Sequence, residues 1–218
     1  MAGVYQRYAA SRRKQRAWAA SNPGNRAIRA ELSAALFESC AAATGSGGHL
    51  LDAGCGSGWW LRALLASGIS ERRLHGVDLL PTRLRRAALP EGVDLRAADV
   101  RALPYADMHF EAVFMLTLLS SLPSSAAVAE AVGEAWRVLR PGGVLACYEP
   151  RLPSAGSPRR HVSRRELEDV LGPPISVRSL TLLPPLARRL GGLTHRLYPR
   201  LARVRLLRTH RLWLFERR

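Results

Sequence analysis

Lysine is almost absent from this 218-residue chain: Lys14 is the only one. A phosphate-binding P-loop ends in Gly-Lys-Ser/Thr, so that class of nucleotide site is excluded. Cysteine is scarce as well, since Cys40, Cys55 and Cys147 stand far apart and without metal-ligand spacing. We expect all three thiols to be reduced, which favours a cytoplasmic location.

A membrane-spanning segment and a secretory signal are both missing from the sequence pattern. No apolar run approaches the roughly 20 residues that cross a bilayer. The N-terminus is basic and aromatic where a signal peptide has an apolar centre. The hydrophobic fraction of 47% is enough for the core of one α/β domain of this length. The sequence carries no signal for oligomeric state.

Three of the 18 glycines, in contrast, stand close together in one short segment. Residues 50–58 read LLDAGCGSG, so apolar residues and one aspartate precede three closely spaced glycines. Without a Cβ atom, glycine lets the backbone turn sharply and approach a ligand. A helix predicted from Trp59 points its N-terminal amides into that turn. The spacing GxGxG differs from the dinucleotide loop GxGxxG, and a plain glycine turn remains the alternative.

Two more aspartates follow predicted strands. Residues 74–79 read LHGVDL and place Asp78 at the end of a second strand, where a carboxylate can accept hydrogen bonds from ribose hydroxyls. Residues 93–100 read VDLRAADV and place Asp99 after a third strand. Either aspartate alone could be an ordinary cap or turn residue. Their order along the chain favours a ligand site at one edge of a sheet.

These segments resemble the class I S-adenosylmethionine-dependent methyltransferases. Residues 110–122 are similar to the family's fourth motif, and the Pro-Gly-Gly turn in 139–150 is similar to the one before its fifth strand. The resemblance covers about residues 45–150 and implies that S-adenosylmethionine is the cofactor. The positions implied to bind it are Asp52, Gly54, Cys55, Gly56, Gly58, Asp78, Leu79, Asp99, Val100 and Met115, with Tyr8 and Trp18 of the N-terminal arm covering the pocket.

Strands alternate with helices along the chain, which predicts an α/β fold with helices on both faces of the sheet. The resemblance implies a Rossmann-like, seven-stranded, mostly parallel sheet whose last strand is antiparallel. The predicted strands lie near 49–53, 74–78, 93–98, 110–115, 143–149, 175–183 and 208–217.

Two regions stand apart from that sheet. Residues 1–44 are expected to form an N-terminal basic arm and a cap helix, and residues 45–218 the methyltransferase domain. The last two strands are separated by far more than a hairpin turn. A helical lid is therefore expected at about 184–207, folded over the substrate end of the sheet.

Three residues are candidates for proton transfer. Glu149 ends the predicted fifth strand, where a carboxylate could act as a base or bind a substrate hydroxyl, with pairing to Arg151 or another nearby arginine as the alternative. His195 lies in the lid and His210 begins the last strand, and a histidine near neutral pKa suits a general base. A surface or capping role is the alternative for each histidine. No metal pattern is found, so metal-independent chemistry is expected.

The leading hypothesis is methyl transfer to a small-molecule acceptor, at a hydroxyl oxygen of a natural product, a lipid-linked compound or a carbohydrate. The net charge of +16 is nearly all arginine and lies mostly towards the chain ends. It supports an alternative, an RNA methyltransferase whose basic termini contact phosphates, although compositional bias explains the arginines more simply. A non-catalytic cofactor- or nucleic-acid-binding protein is the remaining alternative.

Overall fold

The computed structural model describes residues 18–151 and 159–218. Its centre is a seven-stranded sheet in the order β3-β2-β1-β4-β5-β7-β6. β7 is antiparallel to β5 and β6, and the other neighbouring strands pair in parallel, which confirms the predicted sheet. The strands are β1 His49–Ala53, β2 Leu74–Asp78, β3 Asp94–Ala97, β4 Phe110–Leu116, β5 Leu139–Pro150, β6 Ser176–Leu182 and β7 Arg208–Glu216.

Helices cover both faces of this sheet. They are α1 Pro23–Ser39, α2 Ala41–Gly45, α3 Trp59–Ala66, α4 Pro81–Leu84, α5 Ser125–Val138, α6 Arg164–Leu171, α7 Pro184–Arg189 and α8 Thr194–Leu201. Side chains alternate along each strand, so Leu51 and Cys147 pack towards α5 and α6. Leu50 and Tyr148 pack towards α1 and α3. Strands buried on both faces explain the near-continuous apolar runs of the sequence.

The cap helix α1 begins at a proline and is capped by the side chain of Asn22, which accepts hydrogen bonds from the backbone N–H groups of Gly24 and Asn25. Gly24 lies against the backbone of Ala187 in α7, and a side chain there would collide with it. Cap helix and lid therefore pack as one layer.

The predicted lid is present between β6 and β7. It consists of α7, a 3₁₀ turn at Gly191–Leu193, α8 and a second 3₁₀ turn at Arg205–Leu207. Because β6 runs parallel to β5, the lid joins the sheet at its carboxyl edge, where the glycine loop also lies. Leu182, the last residue of β6, is fully buried in a cluster with α1, whereas Leu193 in the lid is 56% exposed.

Among the described residues, every helix is too short or too polar to cross a membrane.

Candidate active site

The glycine loop between β1 and α3 is docked on the end of β2. Gly54, Gly56 and Gly58 have positive φ angles of 78°, 58° and 70°, a conformation that favours glycine. The backbone N–H groups of Gly54 and Cys55 donate to the carbonyl of Val77, at 2.7 and 2.9 Å. Three alternate glycines in the left-handed conformation thus let the loop fold onto the carboxyl edge of the sheet.

Asp78 ties this loop to α4. One carboxylate oxygen accepts the N–H of Gly56 at 3.0 Å and an N–H of the Arg83 guanidinium at 3.2 Å. The other accepts the N–H of Leu80 at 2.9 Å. The side chain is 1% exposed, so its charge is held by the loop amides and one arginine. Sequence reasoning missed Arg83, which lies one helical turn beyond the motif.

Asp52 is buried but lacks such partners. Only 3% of the residue is exposed, and no hydrogen-bond donor of residues 18–151 or 159–218 pairs with its carboxylate. The pKa of Asp52 is raised to about 8, chiefly by burial and also by the charge of Asp78, while the charge of Arg83 opposes the rise. Two carboxylates at the end of β1 and β2 create a site that favours a positively charged ligand.

A narrow cleft of about 80 Å³ lies between the ends of β2, β3 and β4. Five residues expected at the cofactor line it, namely Gly54, Asp78, Leu79, Asp99 and Val100. The other lining residues are Arg101, Leu118, Ser121, Leu122 and Pro123, which sequence reasoning did not single out although they directly follow Asp99 or β4.

Arg101 and Leu118 narrow this cleft. The guanidinium of Arg101 donates to Asp99 at 2.7 Å and lowers the pKa of that carboxyl. Leu118 lies over Gly54, where a Cβ atom would approach its side chain to 2.8 Å. Ligand pockets usually enclose about 300–1,000 Å³. A cofactor therefore enters only if side chains at the rim of the cleft turn outward.

Six other described residues expected at the cofactor do not line the cleft, namely Asp52, Cys55, Gly56, Gly58, Met115 and Trp18. Cys55 and Met115 are buried in the two core clusters on either face of the sheet, and burial raises the pKa of the Cys55 thiol. Trp18 is 37% exposed beside α7, with the guanidinium of Arg188 4.4 Å from its ring centre. Tyr8 lies outside the described residues. Cofactor contact stays a prediction for all of the expected residues, including those that line the cleft.

Glu149 lies at the end of β5 and is fully buried. Its two oxygens accept the backbone N–H groups of Leu119 and Ser120, at 2.6 and 3.2 Å. The pKa of Glu149 is raised to about 7 by burial. The hydrogen bonds to its oxygens and the charge of Arg159 lower the pKa and so limit this rise. Arg151, the partner considered as the alternative, donates instead to the carbonyl of Arg208. Glu149 thus holds the turn whose neighbouring residues line the cleft.

The two candidate histidines lie on the lid side of the carboxyl edge. His210 stacks on Tyr148 with ring centres 4.8 Å apart, and burial lowers its pKa to about 3, with a further contribution from Arg159. His195 is exposed on α8 and borders a cavity of about 400 Å³ between α1 and α8. Neither histidine lines the cleft formed by the described residues, and their catalytic roles stay predictions.

Comparison with known proteins agrees with this geometry. Residues 51–147 match a family model described as "Methyltransferase domain". A malonyl-[acyl-carrier protein] O-methyltransferase of Dechloromonas aromatica is 37% identical over 123 residues, 56% of this chain and 42% of that protein. A demethylmenaquinone methyltransferase of Roseiflexus castenholzii is 39% identical over 120 residues, 51% of this chain and 48% of that protein. The chain thus spans a little under half the length of these curated relatives.

A solved structure shows the same fold. The chain is similar to geranyl diphosphate C-methyltransferase from Streptomyces coelicolor A3(2), solved with Mg²⁺, geranyl diphosphate and S-adenosyl-L-homocysteine. The TM-score is 0.62 at 19% identity, over 85% of this chain and 77% of that one. Topology, glycine loop and sequence matches lead to one conclusion: residues 51–147 form a methyltransferase domain of the S-adenosylmethionine-dependent class I type, within a sheet that has the same fold.

Proposed function

We propose that this protein transfers a methyl group from S-adenosylmethionine to a small-molecule acceptor. The observation that carries the proposal is the cleft at the carboxyl edge of the sheet, where Gly54, Asp78 and Asp99 meet near Asp52, whose carboxylate has no hydrogen-bond donor among residues 18–151 and 159–218. Ligands of open α/β sheets bind at this edge. When bound, the cofactor supplies a methyl group on a positively charged sulfur.

The residues of the cleft fit that cofactor. Asp52 offers a buried negative charge to the cationic methionyl part, which would lower its pKa towards the ordinary carboxyl range. Asp78 would face the ribose and Asp99 the adenine, as the family resemblance implies. Leu118 would exclude water from the methionyl end after it turns to admit the ligand. Because the methyl group of the cofactor is already activated, the protein must only align the acceptor with it and exclude water from the site.

We further propose a hydroxyl oxygen as the acceptor atom, which requires removal of a proton. Glu149 is the carboxyl group whose pKa lies nearest to neutral at this edge of the sheet. Its backbone hydrogen bonds give it a positioning role for the turn at Leu119–Ser121, whether or not it also takes the proton. The named relatives include an O-methyltransferase and a C-methyltransferase, so the choice of oxygen rests on the chemistry of Glu149 and not on the comparisons.

A second candidate, RNA methylation, is favoured by one observation. The lid presents five exposed arginines to solvent: Arg189, Arg196, Arg200, Arg203 and Arg205. Phosphate contacts by such a surface would weaken steeply with salt. A small neutral acceptor would be methylated at a rate that changes little between low and physiological salt.

The experiment follows transfer of labelled methyl from S-adenosylmethionine to quinone, polyketide, acyl-carrier, carbohydrate and RNA acceptors at two salt concentrations. Salt-insensitive transfer to a small hydroxyl compound supports the proposal. Transfer to RNA alone, suppressed by salt and by Arg200→Gln with Arg203→Gln, would replace it with the second candidate. Product analysis of the methylated atom distinguishes oxygen from carbon.

A further inference from the structure

Three histidines meet at the edge of the sheet opposite the cleft. His49 is the first residue of β1, His75 is the second residue of β2, and His109 directly precedes β4. Because β1 lies between β2 and β4 and all three are parallel, their amino ends meet at one edge. Local spacing gives no hint of this group, since His49 and His75 are 26 positions apart. The sequence analysis accordingly expected no metal site.

The three imidazoles are close enough to share one ion. Their ligand nitrogens all lie within 4.8 Å of one another. Nδ1 of His49 and Nε2 of His75 are 2.8 Å apart, and the rings of His49 and His109 stack at 4.7 Å. His75 is buried, whereas the other two are half-buried and accessible from solvent. We propose that His49, His75 and His109 bind one divalent transition-metal ion, with Zn²⁺ as the reference ligand.

Asp94 orients the buried member of this group. As the first residue of β3, it lies beside β2, and its carboxylate is 3.0 Å from Nδ1 of His75. Because a carboxylate can only accept a hydrogen bond, the proton of His75 lies on its Nδ1, and the lone pair on its Nε2 faces His49. Histidine ligands of metals ordinarily donate their other N–H to a carboxylate or carbonyl in this manner. Asp94 is therefore a positioning residue of the proposed site.

Metal binding requires the three ligand nitrogens, which lie within 4.8 Å of one another, to converge on one ion, and it requires a change of tautomer in His49. In the metal-free arrangement His49 donates from Nδ1 to Nε2 of His75; with the ion bound, that proton resides on Nε2 of His49 instead. Zn–N bonds of about 2.0–2.1 Å in tetrahedral geometry place ligand nitrogens about 3.3 Å apart.

The donor set also selects the class of ion. Imidazole nitrogens suit Zn²⁺, Co²⁺, Ni²⁺ and Cu²⁺, whereas Mg²⁺ and Ca²⁺ prefer oxygen ligands. The nearby cation Arg96 is paired with Asp94 at 2.8 Å and covers the ring of Tyr105, so its charge is partly offset. Three protein ligands leave a fourth position to water. An ion here would tie the starts of three strands together, away from the methyl-transfer cleft.

The test is a zinc titration of the full chain after removal of any affinity tag, in competition with a chromophoric chelator. We expect one Zn²⁺ per chain with a Kd of about 1 μM or tighter. His49→Gln and His109→Gln should each weaken binding about tenfold or more, and Asp94→Asn about 10–100-fold. His161→Gln, which alters an exposed histidine before α6, is the matched control and should bind as the parent does.

Thermal unfolding with and without zinc gives a second reading. An ion that binds the folded chain raises the Tm of the parent, and this rise should disappear in His49→Gln. Zinc bound only to cysteines of the unfolded chain would lower the Tm instead. Absence of one-to-one binding up to about 100 μM zinc, or binding unchanged in both His49→Gln and His109→Gln, overturns the proposal and leaves a hydrogen-bonded histidine group.

Discussion

The carboxylate of Asp78 accepts a hydrogen bond from the backbone N–H of Gly56 at 3.0 Å, so the second strand holds the glycine loop that follows the first. The same oxygen also accepts from Arg83. One side chain thereby shapes the loop and presents charge at the place where a ribose would bind. Loop geometry and ligand affinity are coupled through this residue.

Replacing Asp78 by alanine should weaken binding of S-adenosylhomocysteine by roughly 1–3 kcal/mol, because bound hydroxyls and the Gly56 amide lose their charged acceptor. Calorimetric titration measures the change. Asp169→Ala, which removes an exposed carboxylate from α6, is the control and should leave affinity unchanged. Equal affinity of Asp78→Ala and the parent would show that the second strand has been assigned the wrong role.

Asp52 should make the ligand-free protein less stable as pH rises. Its pKa is about 8 in the folded chain and ordinary in the unfolded chain, so the folded state keeps a proton that the unfolded state loses between about pH 4 and 8. Stability from this group is thus complete below pH 4 and is lost as pH approaches 8. Asp52→Asn should exceed the parent in unfolding free energy by about 1–3 kcal/mol at pH 8.

Urea unfolding at several pH values checks this prediction. The difference between Asp52→Asn and the parent should be small at pH 4 and grow towards pH 8. Taking the difference removes contributions from other carboxyl groups, such as Asp99, whose pKa is lowered and whose effect has the opposite sign. A difference that stays constant with pH would contradict a raised pKa at Asp52.

Two glycine substitutions should act in opposite directions. Gly54→Ala should destabilise the fold by about 1–2 kcal/mol and impair cofactor binding, because φ is 78° and the new methyl meets Leu118. Gly133→Ala, inside α5 with open space around its Cβ position, should stabilise by about 0.5–1 kcal/mol. The Tm of each variant, measured by thermal unfolding, tests both expectations. A higher Tm for Gly54→Ala than for the parent would show that the loop geometry is wrong.

Glu149→Gln should lower kcat while cofactor affinity is retained, because the amide keeps an acceptor for Leu119 but loses the charge that holds both N–H groups. Glu149→Leu should also disturb the turn and weaken cofactor binding. A base role predicts that the pH dependence of kcat near pH 7 disappears in Glu149→Gln, whereas a positioning role leaves the profile in place. Normal turnover by both variants would exclude either role.

Much of the framework could be predicted because it rests on local chemistry. The capping box of Ser163 and Glu166 follows from a serine and a glutamate three positions apart, and both of its hydrogen bonds are present. The mostly parallel sheet follows from strands alternating with helices, whereas its seven strands and antiparallel last strand are implied by the family resemblance. Asp78 and Asp99 could be placed at the cleft because parallel strands end at a common edge.

The remainder depends on contacts between distant segments. Nothing near Glu149 in the sequence reveals that its oxygens face the amides of Leu119 and Ser120, 30 and 29 positions away. Only the fold shows that Leu118 covers Gly54 and narrows the cleft. The histidines at the amino edge are likewise assembled by strand order, not by spacing.

The most direct test of the account is calorimetric titration of the full chain with S-adenosylmethionine. We expect binding at one site per chain in the micromolar range, weakened tenfold or more by Asp78→Ala and unaffected by Asp169→Ala. Absence of binding up to about 1 mM cofactor, in a protein shown to be folded by its thermal transition, would contradict the assignment of the cleft as a methyl-donor site.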